Sequence, residues 1–214
     1  MPIVLYCHHE SGHSYKVALA LRWMGVPFEQ RPVNLNVARP ERTADFRDAA
    51  AFGEVPVLVL EDGLTICQSN AILDTLARRH EKLDGADAAT QIKVREWLAW
   101  EGCRIGVSLP NLRFSRHFTP YGQAIEEWLE ARVRRDLDRL EAAVIERPFL
   151  TGDRPTIADV SCSGYLHWLD HARLNVAEWP SVARWLERLR SEPGWLGPYD
   201  LLMHAYPLRP GTLA

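Results

Sequence analysis

Residues 55–72, VPVLVLEDGLTICQSNAI, contain two short apolar runs, a turn and the beginning of a helix. The runs at residues 55–60 and 64–67 flank Asp62-Gly63, a dipeptide typical of a tight hairpin turn, which predicts two antiparallel strands. Apolar residues at helical spacing then predict a helix over residues 68–80. The stretch therefore predicts a small sheet followed at once by a helix.

Two features of this stretch suggest binding of a ligand. Pro56 removes a ladder donor, and an X-Pro bond can be cis, which would turn the N–H and C=O of Val55 outward to pair with an extended peptide. An ordinary edge-strand proline fits the same residues. Gln68 and Ser69 open the predicted helix directly after the second run of the hairpin. A serine hydroxyl and free N–H groups at a helix N-terminus predict a carboxylate site, although a plain N-cap is the alternative.

The residues before this stretch predict a strand at 2–7, a helix at 14–25 and a second strand at 26–33. The two prolines of the second strand favour an edge position in the sheet. Ser11 lies in the loop after the first strand, where α/β proteins commonly carry their sites. A hydroxyl beside a helix N-terminus would stabilise a thiolate and lower its pKa from the ~8.5 of a free thiol, while a structural turn is the alternative.

The chain is predicted to divide into two domains. The first, residues 1–80, alternates strands and helices as a βαβ unit followed by the hairpin. Residues 81–88 are predicted to be a linker, and residues 89–214 a helical domain. The long periodic stretches in that domain lie at residues 89–117, 121–147, 156–172 and 181–192.

Composition excludes several classes of function. The 214 residues include 25 basic and 28 acidic side chains with a net charge of -3, which disfavours an electrostatic nucleic-acid binder. There is no apolar run of ~18 residues and no basic, apolar leader, so we expect a cytoplasmic location and no membrane partner. The four cysteines form no CxxC pair, and side chains in Cys7-His8-His9 alternate across a strand, so no metal site is predicted.

Four segments resemble motifs of the soluble glutathione transferases, and their order and spacing match over nearly the whole chain. They are residues 11–17 (SGHSYKV), 53–58 (GEVPVL), 68–72 (QSNAI) and 150–159 (LTGDRPTIAD). The resemblance implies an α/β thioredoxin-like N-terminal domain with a cis Val55-Pro56 bond, an all-helical C-terminal domain and a homodimer. It also implies glutathione as cosubstrate, with no metal.

The resemblance assigns roles to individual residues. Ser11 would hydrogen-bond the glutathione sulfur, Val55 would pair with the cysteinyl backbone, and Gln68 with Ser69 would hold the γ-glutamyl end. Thr156 and Asp159 form a capping box that would nucleate a helix of the second domain.

A serine at position 11 resembles the pattern of the theta, zeta and bacterial branches of the family. Cys7 falls four residues before Ser11, inside the predicted strand, so a glutaredoxin-type covalent mechanism is disfavoured because it needs an exposed thiol of low pKa. The leading function is therefore activation of the glutathione thiol for attack on a hydrophobic electrophile or a disulfide. A glutathione-dependent isomerase or dehalogenase is the alternative, although the Ser-Ser-Cys loop of zeta-like relatives is not reproduced.

The chain departs from the family pattern at the glutathione site. Glu54 would repel the glycine carboxylate of glutathione if it pointed the same way, and Arg39 or Arg42 would then supply positive charge. His13 stands where bacterial relatives often have asparagine, as a second polar contact to sulfur or as a bystander. Glu54 also keeps a third hypothesis open, namely a non-catalytic binding protein that retains the fold.

The second substrate is expected between the Ser11 loop and the beginning of the helical domain. An apolar aromatic lining suits a hydrophobic substrate there, and core packing is the alternative for the tryptophans. The candidates are Trp100, Arg104, Arg113 and Phe114. The sequence does not identify the second substrate, because specificity depends on side-chain orientation.

Overall fold

A computed structural model describes residues 1–207 of the protein. Packing divides them into two compact units. The first unit contains Met1–Leu83 together with Pro193–Pro207, and the second contains Asp84–Glu192. The change from the first unit to the second lies between Leu83 and Asp84, inside the segment predicted as a linker.

A four-stranded mixed sheet forms the centre of the first unit. Its strands are β1 (Ile3–Cys7), β2 (Phe28–Pro32), β3 (Val57–Val59) and β4 (Thr65–Cys67), in the order β2-β1-β3-β4. β1 pairs in parallel with β2 and antiparallel with β3, and β3 and β4 form the predicted antiparallel hairpin. β2 lies at the edge, as Pro27 before it and Pro32 at its end predicted, because a proline cannot donate to a second neighbour.

Three helices of the first unit pack with this sheet. They are α1 (Gly12–Met24), α2 (Ala44–Ala49) and α3 (Ser69–His80), with a short 3-10 helix at Arg39–Glu41. α1 ends at Gly25, which adopts the left-handed conformation with φ of 72° and closes the helix with hydrogen bonds to its last carbonyls. The buried core of the unit comes from both layers and includes Leu5, Leu19, Leu21, Leu58, Ile72 and Leu73.

The second unit is helical. It contains α4 (Ala88–Cys103), α5 (Ile105–His117), α6 (Gln123–Val144), α7 (Ile157–Ser163) and α8 (Pro180–Arg190), with 3-10 helices at Leu166–Trp168 and Val176–Glu178. None of the helices within residues 1–207 combines the length and apolar content needed to cross a bilayer.

The single helix predicted over residues 89–117 is interrupted. Arg104, with φ of -124° and ψ of -105°, leaves the helical region and separates α4 from α5. The following turn is crowded, since a Cβ built on Gly106 would lie 2.7 Å from the backbone carbonyl oxygen of the buried Glu101. A glycine is therefore required at the beginning of α5.

The predicted capping box at α7 is present. The backbone N–H of Thr156 donates to Oδ2 of Asp159 at 2.9 Å. Oδ1 of the same carboxyl accepts from the backbone N–H of Leu150 at 2.8 Å and from Nε1 of Trp185 at 3.0 Å. Burial raises the pKa of the Asp159 carboxyl, and the donated hydrogen bonds act in the opposite direction. The box therefore joins the loop before α7 to α8.

The last described residues depart from the predicted domain division. Residues 193–207, which include the one-turn helix α9 (Pro198–Leu201), were expected in the helical domain but pack in the first unit. The reason is a set of hydrogen bonds to side chains of α1 and β2, such as that from the Tyr15 hydroxyl to the Leu196 carbonyl at 2.9 Å. Contacts of this kind leave no periodic pattern in the sequence.

Candidate functional site

Ser11 is the N-cap residue of α1. Its backbone is extended, with φ of -98° and ψ of 111°, and its Oγ accepts a hydrogen bond from the backbone N–H of Ser14 at 3.1 Å. A serine hydroxyl has one donor and two acceptor positions, and the cap uses a single acceptor position. Within residues 1–207 the hydroxyl proton of Ser11 has no acceptor, so it can be donated to a ligand atom.

The turn before α1 holds Ser11 by backbone hydrogen bonds. The N–H of Ser11 donates to the carbonyl of His8 at 3.0 Å, and the N–H of Tyr15 donates to the carbonyl of Ser11 at 2.9 Å. The N–H of His8 in turn donates to Oγ of Ser14 at 3.2 Å. Ser11 is 8% exposed, so its hydroxyl lies in a mostly buried and well-defined turn.

Two side-chain contacts join the first turns of α1 and α3. Nδ1 of His13 lies 3.5 Å from Oγ of Ser69, and Nζ of Lys16 donates to Oδ1 of Asn70 at 2.9 Å. The N-terminus of α3 carries free N–H groups and a partial positive charge, which favour a carboxylate. Ser69 and His13 were predicted site residues, and the structure brings them together in this position.

Lys16 was not among the predicted site residues, although its place in the sequence indicates a specific role. Lys16 is a charged residue inside the apolar pattern of α1, and it is 1% exposed. A buried ammonium group costs free energy unless it is hydrogen-bonded, so such a lysine indicates a specific partner. Asn70, beside Ser69, is one such partner.

Gln68, immediately before α3, has an unusual backbone. Its φ of 70° lies in the region that favours glycine, and such conformations persist where the surrounding structure holds them. Nε2 of Gln68 donates to Oε2 of Glu54 at 3.2 Å, so these two predicted site residues contact each other at the surface.

The Val55-Pro56 peptide bond is cis, as predicted. Within residues 1–207 the backbone N–H and C=O of Val55 make no hydrogen bond. An extended peptide could therefore pair with them as an added strand does.

Arg39 and Arg42 both lie beside Gly53. Nη1 of Arg42 donates to the carbonyl of Gly53 at 2.9 Å. Arg39 packs against the same residue, because a Cβ built on Gly53 would lie 3.3 Å from Cδ of Arg39. Two guanidinium groups thus approach the residue before Glu54, and the sequence alone could not locate either of them.

Cys7 lies inside β1 and is buried. Burial raises the pKa of its thiol to about 12, so the thiolate is scarce at neutral pH. Its Sγ lies 3.8 Å from Oε1 of Gln30. This environment agrees with the prediction that Cys7 is not a nucleophile.

Two of the residues predicted to bind the second substrate have partners inside the helical unit. Nε of Arg104 donates to Oδ1 of Asp136 at 2.9 Å, and Asp136 is fully buried. The ring of Trp100 packs edge-on against Trp97 with 5.2 Å between centroids. The charge of Arg104 is therefore committed to a buried carboxylate.

Arg113 and Phe114 differ in exposure. Arg113 is 3% exposed, with its guanidinium 4.5 Å from the ring centroid of Trp168. Its Nε lies 3.3 Å from Nδ1 of His171, and these are the interactions of a core residue rather than of a substrate contact. Phe114 is half-buried and stacks on Tyr121 with 5.5 Å between centroids.

No three His, Cys, Asp or Glu side chains within residues 1–207 converge as a set of metal ligands. The polar groups described above in the first unit are hydroxyl, amide and backbone N–H groups at two helix N-termini and two guanidinium groups beside Gly53. Such groups bind anionic and peptide-like ligands.

A mixed four-stranded sheet with a cis-proline, joined to a helical unit, defines the thioredoxin-like, two-unit class of protein that the sequence predicted. Comparison with known families assigns residues 10–79 to the N-terminal domain and residues 122–188 to the C-terminal domain of glutathione S-transferases. The chain belongs to the glutathione S-transferase family.

Individual relatives agree with this assignment. The chain is 31% identical over 191 residues to a glutathione S-transferase-like protein, LUC7, of Fusarium, with 86% of each chain covered. It is 26% identical to a maleylacetoacetate isomerase of Pseudomonas aeruginosa, covering 89% of this chain and 92% of that one. A crystal structure of a glutathione S-transferase from Xanthobacter autotrophicus aligns with a TM-score of 0.81 at 29% identity, covering 92% and 98% of the two chains.

Proposed function

We propose that this protein is an enzyme, a glutathione transferase in which the hydroxyl of Ser11 activates the thiol of bound glutathione. The observation that carries the proposal is the hydroxyl proton of Ser11, which has no acceptor within residues 1–207 and lies at the N-terminus of α1. A hydrogen bond from this hydroxyl, together with the helix dipole, stabilises a thiolate over a thiol. The pKa of the bound thiol then falls from the ~8.5 of a free thiol toward neutrality.

The same unit offers groups for each part of glutathione. The N–H and C=O of Val55 pair with the cysteinyl backbone, while Gln68 and Ser69 hold the γ-glutamyl carboxylate at the N-terminus of α3. His13, in contact with Ser69, orients that serine. Each assignment uses groups that can hydrogen-bond an added peptide.

The glycine end of glutathione meets opposing charges. Glu54 disfavours its carboxylate, whereas Arg39 and Arg42 beside Gly53 favour it. The hydrogen bond from Gln68 holds the Glu54 carboxylate and so reduces its repulsion. We therefore assign the glycine carboxylate to the two arginines.

The reaction follows from the thiolate. The thiol proton passes to solvent, and the sulfur electron pair forms a C–S bond with an electrophilic carbon while the leaving group departs with its bonding pair. With a disulfide, a new S–S bond forms and the second sulfur leaves as a thiolate. Trp100 and Phe114 are the predicted second-substrate residues whose rings remain partly accessible, and their apolar surface suits a hydrophobic substrate. The family resemblance adds a homodimer to the proposal.

Calorimetric titration with glutathione tests the proposal most directly. We expect binding at or below millimolar concentration, followed by turnover of an aryl halide or a small disulfide. Absence of both binding and turnover in the unmodified protein would overturn the proposal.

The variant Glu54→Lys tests the assignment of the glycine end. Removing the repulsion tightens glutathione binding, whereas the glutathione analogue whose glycine carboxylate is converted to an uncharged amide binds with unchanged affinity. Asp48→Lys is the matched control, because Asp48 is an exposed residue of α2 in the same unit. Equal effects of the two variants on the two peptides would show that only net charge matters.

A glutathione-dependent isomerase is the second candidate, supported by the similarity to the maleylacetoacetate isomerase. The Ser11-Gly12-His13 loop, which differs from the Ser-Ser-Cys loop of zeta-like relatives, argues against it. Glutathione-dependent isomerisation of maleylacetoacetate, lost in Ser11→Ala, would replace transfer by isomerisation as the activity. A non-catalytic binding protein, the third hypothesis, predicts glutathione binding or none, but no turnover that Ser11→Ala could remove.

A further inference from the structure

Residues 193–207, hereafter the C-terminal strap, are attached to α1 by hydrogen bonds to backbone carbonyls. The hydroxyl of Tyr15 donates to the carbonyl of Leu196 at 2.9 Å, and Nε of Arg22 donates to the carbonyl of Gly194 at 2.6 Å. Tyr15 is fully buried, so its hydroxyl needs a protein partner, and the carbonyl of Leu196 is that partner.

The strap is also attached to the edge strand β2 through Gln30. Nε2 of Gln30 donates to the carbonyl of Leu201 at 2.9 Å, while its Oε1 accepts from the N–H of Met203 at 2.9 Å. Both ends of one side-chain amide therefore bind the strap backbone on either side of residue 202. This arrangement fixes the position of His204, the next residue.

His204 begins a stack of imidazole rings that leads toward Ser11. Its ring lies parallel to that of His9, with 4.5 Å between centroids and 18° between planes, and His9 stacks on His8 at 4.5 Å and 21°. Nε2 of His204 lies 2.9 Å from the carbonyl of Tyr199, and since a carbonyl only accepts, that nitrogen carries the proton. The outer ring of the stack is thus held by the strap itself.

The inner ring of the stack belongs to the turn that presents Ser11. The carbonyl of His8 accepts from the N–H of Ser11 at 3.0 Å, and the N–H of His8 donates to Oγ of Ser14 at 3.2 Å. Nδ1 of His8 also accepts from the N–H of Glu10 at 3.2 Å. His8 and His9 are each 2% exposed, so the rings have little room to move independently of the turn.

We infer that the C-terminal strap is a positioning element for Ser11, with His204 as its positioning residue. By stacking on His9, and through it on His8, His204 fixes the turn whose carbonyl and N–H groups hold Ser11 and Ser14. This inference rests on the proposed role of Ser11 for its effect on turnover, but its effect on the turn is independent of that role. The inferred role of His204 requires no contact with glutathione or with the reacting sulfur.

The test compares His204→Ala, His204→Phe and Met203→Ala. Alanine removes the ring, phenylalanine retains a stacking ring, and Met203 is an exposed neighbour whose N–H bond to Gln30 survives the change. Hydrogen exchange of the peptide covering residues 8–15 is measured by mass spectrometry, together with kcat and KM for glutathione. Thermal unfolding shows that each variant is folded at the assay temperature.

We expect faster exchange of residues 8–15 and a loss of about tenfold in kcat in His204→Ala, since a small displacement of a catalytic group is costly. KM for glutathione changes little, because Val55, Gln68 and Ser69 lie elsewhere. His204→Phe and Met203→Ala retain both properties. Unchanged exchange in His204→Ala, or the same change in Met203→Ala, would overturn the inference.

Failure of the proposed function is distinguishable from failure of this inference. If Ser11→Ala retains full turnover, the role of Ser11 is wrong whatever the strap does. If Ser11→Ala is inactive while His204→Ala leaves both exchange and kcat unaltered, the role of Ser11 stands and the strap is not a positioning element.

Discussion

Replacement of Ser11 separates its two roles, because the hydroxyl both caps α1 and is proposed to bind the glutathione thiolate. Ser11→Ala removes the acceptor for the Ser14 N–H and also removes the hydroxyl donor. Ser11→Gly removes the same donor, but glycine is tolerated at an N-cap with a loss of only a few tenths of a kcal/mol. Ser11→Thr retains both functions and is the conservative control.

The magnitudes follow from these contacts. Loss of the cap in Ser11→Ala lowers the free energy of unfolding by about 1 kcal/mol. A hydrogen bond to a charged group contributes about 1.5 to 3 kcal/mol, and one pKa unit corresponds to about 1.4 kcal/mol. Loss of the donor therefore raises the pKa of the bound thiol by about 1 to 2 in both variants. At a pH below the pKa of the bound thiol, the thiolate fraction in each variant, and with it the rate, is therefore about 10- to 100-fold lower than in the unmodified protein.

The assay is the ultraviolet absorbance of the thiolate, titrated against pH with glutathione bound to each protein. Urea unfolding of the unliganded proteins gives the stability change. We expect the alanine and glycine variants to share a raised thiol pKa and to differ in stability. An unchanged thiol pKa in both variants, with glutathione still bound, would refute the role of Ser11 as the thiolate donor.

Three further predictions concern groups outside the glutathione site. Asp159→Ala leaves buried donors without an acceptor, so we expect the free energy of unfolding, measured by urea titration, to fall by about 3 to 5 kcal/mol. The control Asp153→Ala changes an exposed residue and has little effect. Similar stabilities of the two variants would contradict the structural role of the capping box. Iodoacetamide at about pH 8 modifies the exposed Cys103 first and spares Cys7, whose pKa burial raises to about 12. Burial lowers the pKa of His167 in the folded state to about 3, whereas the ordinary pKa of a histidine is 6.5. The unfolded chain therefore binds a proton more readily between these values, and the folded state loses stability as the pH falls from 6.5 toward 3. In His167→Leu, the free energy of unfolding changes by about 2 to 4 kcal/mol less over this pH range, as measured by thermal unfolding. If stability depends on pH equally in the variant and the unmodified protein, His167 is not the cause.

Much of the first unit was predictable because its signals are local. Asp62-Gly63 specifies a turn by its own conformational preferences, and Pro27 and Pro32, just before and at the end of β2, disfavour a place for that strand in the middle of a sheet. Ser11 and Ser69 were predicted for the same reason, since each stands directly before or at the first turn of a periodic helix. Local chemistry was sufficient to place both serines at helix N-termini, while their roles toward glutathione stay predictions.

Other features depend on partners that are distant in the sequence. The break at Arg104 coincides with its ion pair to Asp136, 32 residues away, while the apolar period continues across it. Arg39 and Arg42 lie in a segment without regular spacing, so only the folded chain shows that they meet Gly53. Arg113 was expected near the second substrate from its place at the beginning of the helical domain, whereas its guanidinium packs on the ring of Trp168 in the core.

The first unit is discontinuous along the chain, since its sheet comes from residues 1–83 and its strap from residues 193–207. During synthesis, domains generally fold as units from the N-terminus. Here the ribosome must synthesise residues 84–192 of the helical unit before the last described piece of the first unit emerges. The nascent sheet therefore waits for more than a hundred residues with the surfaces of Tyr15 and Gln30 uncovered, and a chain interrupted before residue 193 would release a first unit that lacks part of its own structure.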